Sequence, residues 1–260
     1  MLEILHRTPS GAPRATPLLF LHGAYSSAWL WDQHYLPWFA GQGWASCAPS
    51  LRGHGASPGR AQLARHSLDD YVDDLAGVIA AMPVKPVVIA HSMGGLVLQK
   101  YLERDTLPGV VLLCSVPPHG LLGATLQLML TRPRVLFELN RLIGGLAPDL
   151  ATVRDALFHQ PVPRATLEAC LAHFQPESLR AVWDMSGFAL PCLARMHRPP
   201  MLILGAAHDA LIPPLQVEQT GLWFGQPVAI LPGHGHALML EPDWQPAARR
   251  IAAWLTAQGF

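Results

Sequence analysis

Short apolar runs alternate along most of this chain with longer stretches in which apolar positions recur every three or four residues. The runs Leu18–Leu21, Trp44–Ala48, Val87–Ala90 and Val110–Cys114 have the length and side-chain content of core strands. Pro200–Gly205 and Pro227–Leu231 read as two more. Ser67-Leu68-Asp69-Asp70 has the form of a capping box, with Asp70 where glutamate is usual, and opens a helix to about Ala81 that Pro83 helps to end. A last helix, from about Asp243 to Ala257, turns Ile251, Trp254 and Leu255 inward. Strands and helices in this alternation predict an α/β fold, a mostly parallel central sheet flanked by helices.

The alternation breaks between Pro117 and about His197, where the spacing is helical and no strand is convincing. Residues 117–197 therefore read as a helical insertion into a core made of residues 1–116 and 198–260. Its leucine-rich stripes pack mainly helix against helix. An insertion of this kind must also face a cavity, and Leu122, Leu126, Met129 and Phe137 are candidates to line it. No internal repeat or low-complexity linker is present.

The most telling local pattern is Val87-Val88-Ile89-Ala90-His91-Ser92-Met93-Gly94-Gly95. A β-branched run ends in a serine flanked by small residues, and Leu96 to Arg104 then has the spacing of a buried helix. This is the form of a nucleophile elbow, in which strained backbone lifts the serine hydroxyl above the sheet. Small neighbours are a steric requirement there, and Ala90 stands where glycine is usual. The amide of Met93, at the start of the helix, would face an oxyanion formed beside Ser92.

A serine hydroxyl is a weak nucleophile, so the pattern calls for a base and for an acid that orients it. Asp209 follows the strand Pro200–Gly205 in a loop, and His234 and His236 follow the strand Pro227–Leu231 in Gly-His-Gly-His. Serine, acid, then histidine is the chain order of one hydrolase fold. Asp184, or another carboxylate of the insertion, is the alternative acid. A metal site is disfavoured: His234-x-His236 has no third ligand at zinc-like spacing and no His-Glu-x-x-His occurs. Cys47, Cys114, Cys170 and Cys192 are scattered, and the first two, in apolar strands, read as small buried hydrophobes.

On these residues the chain resembles the α/β-hydrolase superfamily in its esterase and lysophospholipase-like branch. Phe20-Leu21-His22-Gly23-Ala24-Tyr25 resembles the His-Gly oxyanion loop, with Trp29 at a typical distance. Leu51-Arg52-Gly53-His54-Gly55-Ala56-Ser57 resembles a second characteristic loop, with Ser50 where aspartate often stands. The resemblance implies a Ser92, Asp209 and His236 triad, with oxyanion donors at the amides of Ala24 and Met93. It favours His236 over His234 as base and makes 117–197 similar to the cap inserted after the sixth strand. Tyr25, Trp29 and His91 are further pocket candidates; His22 and His91 are expected to bond backbone rather than move protons, and His54 to hold its glycine-rich loop in place.

Composition narrows the class. With 260 residues, half of them hydrophobic, and 18 basic residues against 18 acidic ones, nothing invites a nucleic-acid partner. There is no secretory signal at the first residues and no apolar run of membrane-spanning length, and scattered cysteines suit a reducing compartment, so the expected location is cytoplasmic. The expected reaction is cofactor-free hydrolysis of a small-molecule carboxylic ester bearing a small to medium apolar acyl group. Ser92 disfavours the aspartate-nucleophile chemistry of dehalogenases and epoxide hydrolases. Thioester, amide and carbon–carbon hydrolysis, acyl transfer and perhydrolysis share the triad, and a receptor with a retained hydrolase pocket is the alternative from another class.

Overall fold

A computed structural model describes residues 1–143, 145–146 and 148–260. Its strands are β1 (Ile4–Arg7), β2 (Leu18–Leu21), β3 (Ser46–Pro49), β4 (Val87–His91), β5 (Val110–Leu113), β6 (Met201–Ala206) and β7 (Val228–Leu231). They form one sheet in the order β1-β3-β2-β4-β5-β6-β7, with β1 antiparallel to β3 and every other pairing parallel. Helices α1 (Trp29–Asp32) and α2 (Tyr35–Gly41) join β2 to β3, α3 (Leu68–Ala80) joins β3 to β4, and α4 (Met93–Tyr101) joins β4 to β5. Five helices separate β5 from β6: α5 (Leu122–Thr131), α6 (Pro133–Ile143), α7 (Leu150–Leu157), α8 (Arg164–Ala172) and α9 (Leu179–Trp183). Then α10 (Pro214–Phe224) leads to β7, and α11 (Gln245–Ala257) closes the described chain.

The near-continuous apolar strands follow from burial on both faces. In β2, Leu19 and Leu21 join the core under α3, α4 and α10, while Leu18 and Phe20 join the core under α2 and α11. The strands β4 and β5 divide in the same way, Val88 and Ala90 against Val87 and Ile89, Val110 and Leu112 against Val111 and Leu113. Side chains alternate faces at a period of two, so a strand covered on both sides has no position to give to a polar residue.

Local chemistry sets the helix ends. At α3 the Asp70 amide donates to Ser67 Oγ at 3.1 Å and the Ser67 amide donates to Asp70 Oδ2 at 2.8 Å, a reciprocal capping box. Helix α10 begins at Pro214 and stops at Gly225, whose φ of +64° suits a residue without a Cβ.

The insertion follows β5, the fifth strand among the described residues. The insertion leaves the core at the C-terminal end of β5, the end at which the candidate residues lie, and returns at the opposite edge of the sheet, because β6 runs parallel to β5. No helix among the described residues is long and apolar enough to cross a membrane.

Candidate active site

The candidate residues lie beyond the C-terminal ends of parallel strands, where a sheet of this kind opens to ligands. Ala24 follows β2, Ser92 follows β4, Asp209 follows β6 and His236 follows β7. Among the described residues three other than glycine have left-handed backbone: Tyr25 at φ +62°, Ser92 at +51° and Cys114 at +44°. Tyr25 lies in the loop after β2, Ser92 directly after β4 and Cys114 directly after β5. Such conformations are disfavoured for residues with a Cβ and persist only where the surroundings impose them.

Ser92 is held by close backbone packing. A Cβ at Gly94 would collide with the carbonyl of His22, so α4 can start beside the end of β2 only with glycine there. A Cβ at Gly23 would come within 2.8 Å of the Ser92 Cβ, which brings the loop carrying Ala24 against the serine. Ala90 is tolerated because its methyl lies fully buried in the core under α3 and α4. The amides of Ala24 and Met93 have no other acceptor among the described residues, and both residues line one cavity with Ser92 and His236.

Asp209 and His236 are buried and joined. The Nδ1–H of His236 donates to Asp209 Oδ2 at 2.8 Å, while Asp209 Oδ1 accepts the amides of Leu211 and Ile212, each at 2.8 Å. With Nδ1 protonated and committed, the lone pair of a neutral His236 sits on Nε2. His91 packs on this ring at 4.6 Å, and its Nε2–H donates to the His236 carbonyl at 3.0 Å. Burial, then the proximity of His236, pushes the His91 pKa well below the usual histidine value, so His91 adds no positive charge to the site.

Three further histidines near the candidate residues bond backbone or stack. His234 is wedged between two carbonyls, those of Pro232 and Asp243, each at 2.7 Å. The Nδ1–H of His22 donates to the Gly23 carbonyl at 2.8 Å and its Nε2 accepts the Leu51 amide at 3.0 Å. His208, beside the acid in sequence, stacks on His159 with ring centres 3.5 Å apart. Asp184 accepts the Leu68 amide and pairs with Arg180, away from His236.

One sequence expectation needs extending and another correcting. Cys114 is fully buried in the core, as the sequence suggests, but it also lies against the Asp209 carboxylate. Burial, then the charge of Asp209, raises its pKa well above the usual thiol value, so it stays protonated. Cys114, Asp209 and His236 bring potential ligand atoms within 4.8 Å of one another, with His236 Nδ1 already bonded to Asp209 Oδ2. The signal for Cys114 was its place at the end of the strand beside the one leading to the acid.

Most of the pocket expectation is corrected. The cavity holds about 410 Å³ and includes Tyr25 and His91, but Trp29 stacks on His173 instead. Leu122, Leu126, Met129 and Phe137 are exposed and do not line it. The inward faces are Leu121, Ala124, Thr125 and Leu128 at α5, with Val135, Leu139 and Leu142 on α6. On α5 both the inward and outward stripes are apolar at helical spacing, so periodicity could not tell them apart. A bulky Leu128→Trp is expected to shift chain-length preference toward shorter acyl groups, and Leu126→Trp to leave it unchanged. Rates over a series of p-nitrophenyl esters check this.

Against this geometry, the chain belongs to the α/β-hydrolase family, whose profile it matches over residues 18–248. A bifunctional esterase/perhydrolase of Acinetobacter calcoaceticus is 34% identical over 111 residues, 41% of this chain and 39% of that one. A non-heme haloperoxidase of Rhodococcus erythropolis is 36% identical over 107 residues, 39% of this chain and 38% of that one. The chain thus spans about two fifths of the length of the curated relatives it matches. Among solved structures, a monoacylglycerol lipase of Paleococcus ferrophilus superposes with a TM-score of 0.72 at 21% identity, covering 99% of both chains. An esterase of Exiguobacterium antarcticum gives 0.73 at 15% identity, covering 98% of this chain and 94% of that one.

Proposed function

We propose that the protein is a serine hydrolase acting on carboxylic esters of small to medium apolar acyl groups. The observation that carries this reading is one shared cavity. Ser92, on left-handed backbone, opens into an apolar chamber together with His236, whose ring is oriented by Asp209. In the proposed reaction, His236 Nε2 takes the Ser92 proton as Oγ attacks the ester carbonyl. The amides of Ala24 and Met93 hold the oxyanion, and the protonated ring then gives its proton to the departing alcohol. Water, deprotonated by the same ring, opens the acyl-enzyme and frees the acid. No cofactor enters this scheme.

The lining supports the proposed substrate class. Val135, Leu139 and Leu142 border the cavity, and its one carboxylate, Glu138, is committed to Arg141 and to the Asp149 amide. Each acyl methylene buried there contributes up to about 0.8 kcal/mol, so kcat/KM should rise from acetate by up to about fourfold per carbon until the chamber is full. It should then fall. Rates from C2 to C16 p-nitrophenyl esters test this, and a steady decline from acetate onward would remove the apolar-acyl part of the proposal.

The proposal includes a small-molecule substrate, no nucleic-acid partner and a cytoplasmic location, the last supported by four free cysteines. Repeated release of product would separate an enzyme from a receptor, which would give a single slow event. The relative named as an esterase/perhydrolase favours one second reading, in which hydrogen peroxide replaces water at the acyl-enzyme and the product is a peracid. Peracid formation from an ester and peroxide tests it.

A further inference from the structure

The loop Arg52-Gly53-His54-Gly55 plays no part in the chemistry above, yet it ends at the most heavily bonded carboxylate of the molecule. Glu177 lies in the insertion, between α8 and α9, and is 2% exposed. Its Oε1 accepts the Tyr71 hydroxyl at 2.8 Å and the Ser178 amide at 2.7 Å. Its Oε2 accepts His54 Nε2–H at 3.1 Å and the Tyr25 amide at 3.2 Å. Tyr25 directly follows Ala24.

The charge state follows from the contacts. His54 Nδ1 faces the Arg52 carbonyl at 3.1 Å while Nε2 faces Glu177, so both ring nitrogens meet oxygen acceptors and the ring that satisfies both is the imidazolium. Burial opposes that charge, but the Glu177 carboxylate outweighs it and holds the His54 pKa above the usual histidine value. Burial also opposes ionisation of Glu177, and His54, with the Ser178 and Tyr71 bonds, keeps its carboxyl below the usual range. His22, 5.2 Å from the His54 ring, is pushed down to about 3 by burial and then by His54, so it adds no competing cation.

The same short segment holds the rest of the loop. The Gln175 amide donates to the Tyr25 carbonyl at 3.2 Å, and Gln175 Nε2–H donates to the Ser26 carbonyl at 2.9 Å. Tyr25 is therefore gripped on both sides of its left-handed backbone by the insertion rather than by the sheet. We propose that the His54–Glu177 ion pair is a positioning device for the oxyanion loop: by fixing the Tyr25 peptide, it keeps the preceding Ala24 amide directed at the ester oxygen. The insertion then completes the catalytic geometry as well as enclosing the substrate. This inference rests on the serine-hydrolase reading.

Two variants test it. Glu177→Gln keeps the shape, removes the charge and turns an N–H toward an existing donor. Glu177→Asp keeps the charge but cannot reach Tyr25 and His54 together. Active sites are counted with an alkylphosphonate, kcat and KM for p-nitrophenyl butyrate are expressed per titrated site, and the affinity of an alkylboronic acid is measured. Loss of a whole oxyanion donor costs about a hundred- to a thousandfold in kcat, so its misdirection should cost about ten- to a hundredfold. Boronate affinity should fall by a similar factor, with KM within about threefold of the parent. Unchanged kcat per titrated site, with only fewer sites or a lower melting temperature, would overturn the proposal and leave the pair a structural one. Failure of both variants to yield titratable protein would overturn it in the same way. Ser92→Ala in the same assay keeps the two readings separate, because retained activity there would remove the hydrolase reading itself.

Discussion

Ser92→Ala is expected to lower turnover of a p-nitrophenyl ester by on the order of a millionfold while leaving the melting temperature within about two degrees of the parent. The activity loss follows from the proposed chemistry, in which Ser92 Oγ is the attacking atom. The small stability change follows from packing. The Ser92 hydroxyl forms no hydrogen bond among the described residues, and alanine accepts the same left-handed backbone at similar cost, because both residues carry a Cβ. Steady-state kinetics alongside thermal denaturation check both halves. Near-parental activity in homogeneous protein would exclude Ser92 as nucleophile.

The second large effect separates two histidines two positions apart. His236→Ala should cost several orders of magnitude, and His234→Ala about tenfold or less. His234 is bound to the Pro232 and Asp243 carbonyls, so its loss should loosen the loop, whereas loss of His236 would remove the proposed base bonded to Asp209. Asp209→Asn should cost about ten thousandfold. Its amide oxygen can still accept the Leu211 and Ile212 amides, but its N–H would then face His236 Nδ1 and move the ring proton to Nε2, where the lone pair is needed. Initial rates for the three variants decide this. The reverse order for the two histidines would move the role of base to His234.

How much was legible in the sequence depended on whether a signal was local. Core strands covered on both faces announced themselves as uninterrupted apolar runs, and Ser67 with Asp70 marked the start of α3 to within a residue. The elbow was legible because a sharp strand-to-helix turn restricts side-chain size over several consecutive positions. The edge strand β1 was not, since Ile4–Arg7 is short, half exposed and paired only with β3. Trp44 was assigned to a strand on its hydrophobicity, yet β3 starts at Ser46 and Trp44 sits before it under the Arg14 guanidinium. Helix phase was lost in α5, where both faces are apolar and only tertiary packing selects the inward one.

Glu177 and Cys114 illustrate a different limit. In sequence, Gln175-Pro176-Glu177-Ser178 reads as a polar surface loop, and nothing nearby announces that its carboxylate is buried against His54, Tyr71 and the Tyr25 amide. Those partners are 152, 123 and 106 positions distant along the chain for Tyr25, His54 and Tyr71. Cys114 is hydrophobic by type and position, and its place beside Asp209 depends on the pairing of β5 with β6. Contacts of this kind come from topology, which a linear pattern does not encode.

The central claim is that Ser92 is a nucleophile activated by His236. Reaction with an alkyl fluorophosphonate, followed by peptide mass spectrometry and a parallel activity assay, tests it most directly. The account predicts one adduct, on Ser92, forming in step with the loss of esterase activity and slowed by several orders of magnitude in His236→Ala. An adduct on another residue that tracks the loss, or full activity in completely labelled protein, would contradict it.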